Sequence, residues 1–393
     1  MSVTAPAGFV AAGATAGLKN SGGLDLALVQ NLGPLTAAAS VFTSNRCLAN
    51  PVIWSQQVMK DGVVSAIVLN SGGANCYTGA TGFATTHATA EFVAEKLGIS
   101  SGDVIVCSTG LIGEQLDLGK LTTGITVAAG TLATDAAATP SGGLAAAQAI
   151  MTTDTRPKQS EHRSPTGWTI GGMAKGAGML APGLATMLVV LTTDAVLTSA
   201  QLDIALRTAT RVTFDRLDSD GCMSTNDTVS LLASGASGID ADLTEFTDAL
   251  TALCADLAGQ LQADAEGASH DIAIEVRNAR TEDEAVLVAR AISRSNLFKA
   301  AIYGNDPNWG RVLAAAGTVD EADAAFDPYG IDVAINGVQV CRAGEPDQPR
   351  ELVDLSPRAV SVIVDLHEGA ESATILTNDL THDYVEENSA YSS

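Results

Sequence analysis

From Val63 to Gly79 the chain reads VVSAIVLNSGGANCYTG, an apolar run that ends in glycine and asparagine. A short apolar run bounded by turn residues predicts a buried strand, and FATTHATAEFVAEKLG behind it predicts a helix stopped at Gly98. DVIVCSTGLIG, from Asp103 to Gly113, repeats the plan of a buried strand followed by a glycine turn. Ala128 to Ala149 is rich in alanine; TPSGG within it is expected to be a surface break, with no site there.

The second half has a different pattern. Thr198 and Gln201 have capping-box spacing, which predicts a helix with Leu202, Ala205, Leu206, Ala209 and Val212 on its apolar face. Leu243, Phe246, Leu250, Leu253 and Leu257 mark another amphipathic helix. Ile272, Ile274 and Val276 alternate like a half-buried strand, and Thr281 with Glu284 caps a further helix. Asn336-Gly337 between alternating apolar residues is a hairpin signal, and VSVIVDL adds a strand from Val360. The expected class is α/β, an α+β layered sandwich, with much antiparallel pairing in the C-terminal third.

Composition narrows the function. The 393 residues suffice for a sizeable core, and the balance of 21 basic against 45 acidic residues gives a formal charge of −24. That field disfavours nucleic acid and anionic membrane as partners, so an anionic small molecule needs a local cation. The six cysteines are scattered without ligand spacing, which fits buried free thiols and no metal. Asp215, Asp218, Asp220 and Asp227 do not have calcium-loop spacing and are expected to lie on a solvated or network-forming loop. The N-terminus lacks the basic start of a secretion signal, and no apolar run approaches a membrane span, so a soluble, cytoplasmic protein is expected.

The chemistry concentrates in KGAGMLAPGLATMLVVLTTD, Lys175 to Asp194. Glycines 176, 178 and 183 with Pro182 lead into an apolar run that holds Thr186 near its start. A strained peptide bond before a hydroxyl residue is what an N-to-O acyl shift requires. Cleavage of Ala185–Thr186 would give Thr186 a free α-amine, which titrates near ~7.7–8.0 in peptides and can serve as its own base. The five histidines form no recognisable triad pattern. Thr109 and Gly110, on the turn after a buried strand, could hold an oxyanion. Lys175 among glycines is expected to point inward, towards a substrate carboxylate or the new amine. Thr152, Thr153 and Arg156 could be site residues or a polar turn, and Glu266 beside His270 could bind an ammonium or cap an element. Gly176-Ala-Gly178-Met-Leu-Ala181 fits a dinucleotide fingerprint, but Pro182 and a strand follow where a helix should start.

Taken together, KGAGMLAPGLATML, STGLIG, MTTDT, DAEGA, GNDPNWGR and the terminal YVEENSAYSS resemble the ornithine acetyltransferases, or glutamate N-acetyltransferases, in collinear order along the whole chain. The resemblance implies an N-terminal-nucleophile-like core with a smaller C-terminal α+β domain. It implies self-cleavage into an α chain, 1–185, and a β chain, 186–393, with an (αβ)2 heterotetramer as the assembly; the change to hairpin-rich sequence divides the β chain into 186–280 and 281–393. Thr186 would be the nucleophile, Thr109 and Gly110 the oxyanion hole, and Thr152, Lys175, Thr186, Glu266, Asn388 and Ser393 the substrate contacts. Acetyl would pass from N2-acetylornithine to glutamate through acetyl-Thr186. No cofactor or metal is implied, and acetyl-CoA as a co-substrate is left open. The rival readings are a self-processing aminopeptidase or amidase and a non-catalytic small-molecule-binding protein.

Overall fold

The computed structural model describes residues 2–179 and 187–390. Its strands, numbered in chain order, form three sheets. The first runs β1 (Phe9–Ala14), β2 (Leu26–Asn31), β4 (Ala66–Ser71), β5 (Val104–Thr109), with only β4 and β5 parallel. The second runs β3 (Ala37–Phe42), β9 (Thr228–Ala233), β8 (Leu188–Thr193), β7 (Thr169–Lys175), β6 (Lys158–Arg163), with β8 and β9 parallel.

Side-chain alternation stacks these sheets. On β1, Phe9 and Ala11 face a core shared with Met173, Leu188 and Val190 of the second sheet. Val10, Ala12 and Ala14 face the helices Gly79–Leu97 and Leu118–Leu132 instead. On β8, Leu188 and Val190 point into the shared core, while Val189 and Leu191 pack on the helices Ser199–Val212 and Leu243–Ala263. Because a strand's side chains alternate between faces, the result is a helix–sheet–sheet–helix sandwich. The near-continuous apolar strands in the sequence are strands covered on both sides.

The third sheet runs β13 (Glu345–Pro346), β12 (Val338–Arg342), β11 (Asp332–Ile335), β14 (Ala359–Asp365), β10 (Asp271–Ala279), β15 (Glu371–Asn378). Ile272, Ile274, Val276, Val360, Val362 and Val364 bury one face against the helices Glu282–Ser293, Asn296–Tyr303 and Trp309–Ala316. Asn336 (φ 45°) and Gly337 (φ 82°) make the hairpin turn between β11 and β12. Gly98 ends its helix with φ 67°, and Thr198 with Gln201 forms the expected capping box.

Three local expectations fail. Pro140 opens the helix Pro140–Ala149 at its first turn, where a missing N–H costs nothing, so most of TPSGG is helical. Glycine is needed at 142 because a Cβ there would meet the Ala11 carbonyl oxygen at 2.6 Å. Val212 is 38% exposed, at the end of its helix. All six cysteines are free, but Cys47 and Cys222 are exposed. Of the acidic group, Asp218 pairs with Arg294, and Asp220 and Asp227 accept backbone N–H groups. Among the described residues no cluster is arranged to hold a metal, and no helix is long and apolar enough to cross a membrane.

Candidate active site

The two inner sheets deliver strand ends to one place. β5 ends at Thr109, and Gly110 turns away with φ 126°. Thr109 lies against Gly73, whose N–H donates to the Thr109 carbonyl at 2.9 Å. β7 ends at Lys175, which is paired in register with Leu188 of β8. The two ends of the segment carrying the candidate scissile bond are therefore fixed side by side.

Lys175 is buried, as its glycine surroundings suggested, and its Nζ donates to Thr109 Oγ1 at 3.1 Å. The hydroxyl thus accepts through a lone pair and keeps its own proton to donate into the cleft. Burial lowers the Lys175 pKa; Asp154, Asp227 and Glu266 pull it back up, while Lys158 pushes it further down.

Behind the lysine lies an ionic network. Asp154 Oδ1 accepts from the Gly176 N–H at 2.7 Å and from Lys158 Nζ at 2.6 Å, and Lys158 also donates to Asp264 at 2.6 Å. Burial works to raise the Asp154 pKa, but Lys175, Lys158 and the Gly176 N–H outweigh it and hold the carboxyl below its ordinary range. None of these three residues was singled out from sequence. The available signals were the motifs MTTDT, which contains Asp154, and DAEGA, which opens at Asp264, with Lys158 four residues after Asp154.

Glu266 Oε1 accepts from Thr153 Oγ1 at 2.6 Å, and Oε2 from Asn388 Nδ2 at 3.0 Å. Gly178 lies so close that a Cβ would meet the Glu266 carboxylate at 2.6 Å. Asn388 belongs to the helix His382–Ala390, which brings it to Glu266. Thr109, Gly110, Thr152, Lys175, Glu266 and Asn388 all line one cleft, together with Thr153, Gly178 and Met179. Ala185, Thr186 and Ser393 lie outside the described residues. Arg156 is exposed and is not part of the cleft lining. His270 is engaged elsewhere, with Asp379 Oδ2 at 2.7 Å and the Leu355 carbonyl at 3.0 Å.

The approaches to the segment are pinned. Met179 takes a left-handed φ of 52°, uncommon for a residue with a long side chain, and its N–H is held by Asp220 at 2.7 Å. Met187 donates its N–H to Asp227 Oδ1 at 3.1 Å. Burial pushes the Asp227 carboxyl well above the usual range.

A sequence model of the ArgJ family matches residues 10–393. The chain belongs to the ArgJ family. It is 61% identical, over the full length of both chains, to the arginine biosynthesis bifunctional protein ArgJ of Streptomyces coelicolor. Its identity to the protein of that name from Thermobifida fusca is 60% over 392 residues, again over the whole of both chains. Among solved structures, ornithine acetyltransferase of Mycobacterium tuberculosis complexed with ornithine is 52% identical. That match covers 48% of this chain and 96% of that one, with a TM-score of 0.45.

Proposed function

We propose that this chain is an acetyltransferase of arginine biosynthesis that moves acetyl from N2-acetylornithine to glutamate after cleaving itself between Ala185 and Thr186. Membership of the ArgJ family supports the activity. The observation that carries the assignment of residues is the convergence of Thr109, Gly110, Thr152, Lys175, Glu266 and Asn388 on one cleft, from segments far apart in the chain.

In the first half-reaction Thr186 Oγ attacks the acetyl carbonyl carbon, and its proton passes to the free α-amine of Thr186. The bond to the ornithine nitrogen then breaks, that nitrogen takes the proton, and acetyl remains as an ester on Thr186. In the second, the amine of glutamate attacks the ester and loses a proton to the α-amine, while Thr186 Oγ leaves and is reprotonated. Thr109 Oγ1–H and the Gly110 N–H stabilise the oxyanion in both halves. One such donor contributes ~2.7–4 kcal/mol to the transition state. Lys175 fixes the Thr109 hydroxyl and supplies positive charge at the cleft of a chain of net charge −24. The enzyme acts in the cytoplasm as two cleaved pairs, (αβ)2.

Denaturing electrophoresis and a transfer assay test this. The native sequence should give two bands and Thr186→Ala one. Acetylornithine with glutamate should yield acetylglutamate with little free acetate. An unbroken, fully active chain would sink the cleavage mechanism, and stoichiometric free acetate would make the protein a hydrolase.

A further inference from the structure

The proposed transfer needs groups from both sides of the cleavage point held at a fixed separation. Oxyanion donors act only within hydrogen-bond reach of the atom on which charge develops, so a shift of the turn relative to the nucleophile costs rate. Thr109 ends β5, at the edge of the first sheet, whereas β8, just after the cleavage point, lies inside the second. No backbone ladder joins these two strands among the described residues, so side chains must set their spacing. Lys175 supplies one such link from β7, through Thr109 Oγ1.

Asn226 supplies another. It stands two residues before β9, is 5% exposed, and donates from Nδ2 to the Ala74 carbonyl at 2.6 Å and to the Ser108 carbonyl at 2.9 Å. Carbonyl oxygens only accept, so serving two of them takes both N–H groups of the amide. Thr225 Oγ1 fixes the other end of that amide, donating to Asn226 Oδ1 at 2.7 Å. The two carbonyls flank the oxyanion turn. Ser108 directly precedes Thr109, and Ala74 donates its own N–H to the Leu111 carbonyl at 2.9 Å, just beyond Gly110.

The residues after Asn226 grip the segment that follows the cleavage point. Asp227 Oδ1 accepts the Met187 N–H at 3.1 Å, and the Thr228 N–H donates to the Met187 carbonyl at 3.2 Å. Met187 directly follows Thr186. Three consecutive residues thus hold the neighbour of the nucleophile on one side and the neighbours of the oxyanion turn on the other. Resting on the proposed transfer reaction, we infer that Asn226 is a positioning residue, whose amide sets the distance between the oxyanion donors and the segment that begins at Thr186. It is not part of the cleft lining, and it acts through the turn.

Kinetics on the cleaved protein tests this. Asn226→Ala should lower kcat for acetyl transfer about tenfold or more and leave KM for acetylornithine within threefold, because only the transition state uses the donors. Asn226→Asp keeps the shape and leaves at most one donor, so it should show the same split where Asn226→Ala does not fold. Coupling to the turn is read in a Thr109→Val background, which already lacks the hydroxyl donor. There the factor lost to either Asn226 variant should shrink at least threefold, whereas independent losses would multiply. An unchanged kcat, a rise in KM that matches the fall in kcat, or losses that multiply in full would overturn the inference. So would a folded Asn226 variant that stays uncut, because its effect would then lie at Met187 and not at the turn. A wild-type protein that makes no acetylglutamate at all would instead overturn the reaction on which the inference rests.

Discussion

Among single residues, charge in this site is set by burial and corrected by neighbours. Asp154 and Asp227 illustrate the two outcomes: lysines and an N–H overcome desolvation at Asp154, while at Asp227 desolvation wins. The folded pKa of Asp227 is raised, so the folded state holds a proton that the unfolded chain releases above ~3.9. The neutral carboxyl therefore costs nothing in acid and costs progressively more as pH climbs from there towards the folded value. Asp227→Asn keeps an acceptor for the Met187 N–H and removes the ionisation. In a Thr186→Ala background, which keeps every chain intact, it should raise the urea midpoint at pH 7 and leave it unchanged near pH 4. Equal midpoints at both values would mean that Asp227 is ionised in the fold. The site residues that could be read from sequence were those inside compact motifs, such as Thr109 in STGLIG and Lys175 in its glycine run. Lys158 lies outside those motifs and could not be read in this way, because its role comes from Asp154 and from Asp264, 106 residues further along the chain.

Elements were legible wherever a local rule decided them. The capping box at Thr198, the Asn336-Gly337 hairpin and the doubly buried strands follow from side-chain pattern alone. The helix beginning at Pro140 was hidden because its glycines serve packing, Gly142 against β1 and Gly143 against Ser2, and glycines also mark turns. The turn after β5 shows how an element delivers function. At Gly110 a Cβ would meet the Gly73 N at 2.6 Å, and φ is 126°, a conformation that side chains resist. Gly110→Ala must therefore push the turn away from Gly73 and carry the proposed oxyanion donors with it. The expected result is a fall in kcat of about 10²–10³-fold with KM for acetylornithine nearly unchanged, checked by steady-state kinetics on protein of native circular dichroism. Unchanged kcat would remove this turn from the transition state.

The whole molecule determines what self-cleavage can do. Residues on either side of the Ala185–Thr186 bond are interleaved within the five-stranded sheet β3-β9-β8-β7-β6. β3, β6 and β7 precede the bond, while β8 and β9 follow it. Breaking it leaves the β7–β8 ladder from Ile170 to Lys175 and the β3–β9 ladder from Ala37 to Phe42 in place. Met173 from the first part still packs with Leu188, Val190 and Leu232 from the second in the core between the sheets. That cohesion is apolar and hydrogen-bonded, so salt should not weaken it, whereas a contact between surface charges would be screened within ~3 Å in 1 M salt. The cleaved protein should therefore elute from gel filtration as one species containing both fragments, at low salt and in 1 M salt alike. It should come apart only at denaturant concentrations that also melt its circular dichroism. Fragments that separate in native buffer, or in salt alone, would mean that this sheet is not what joins them.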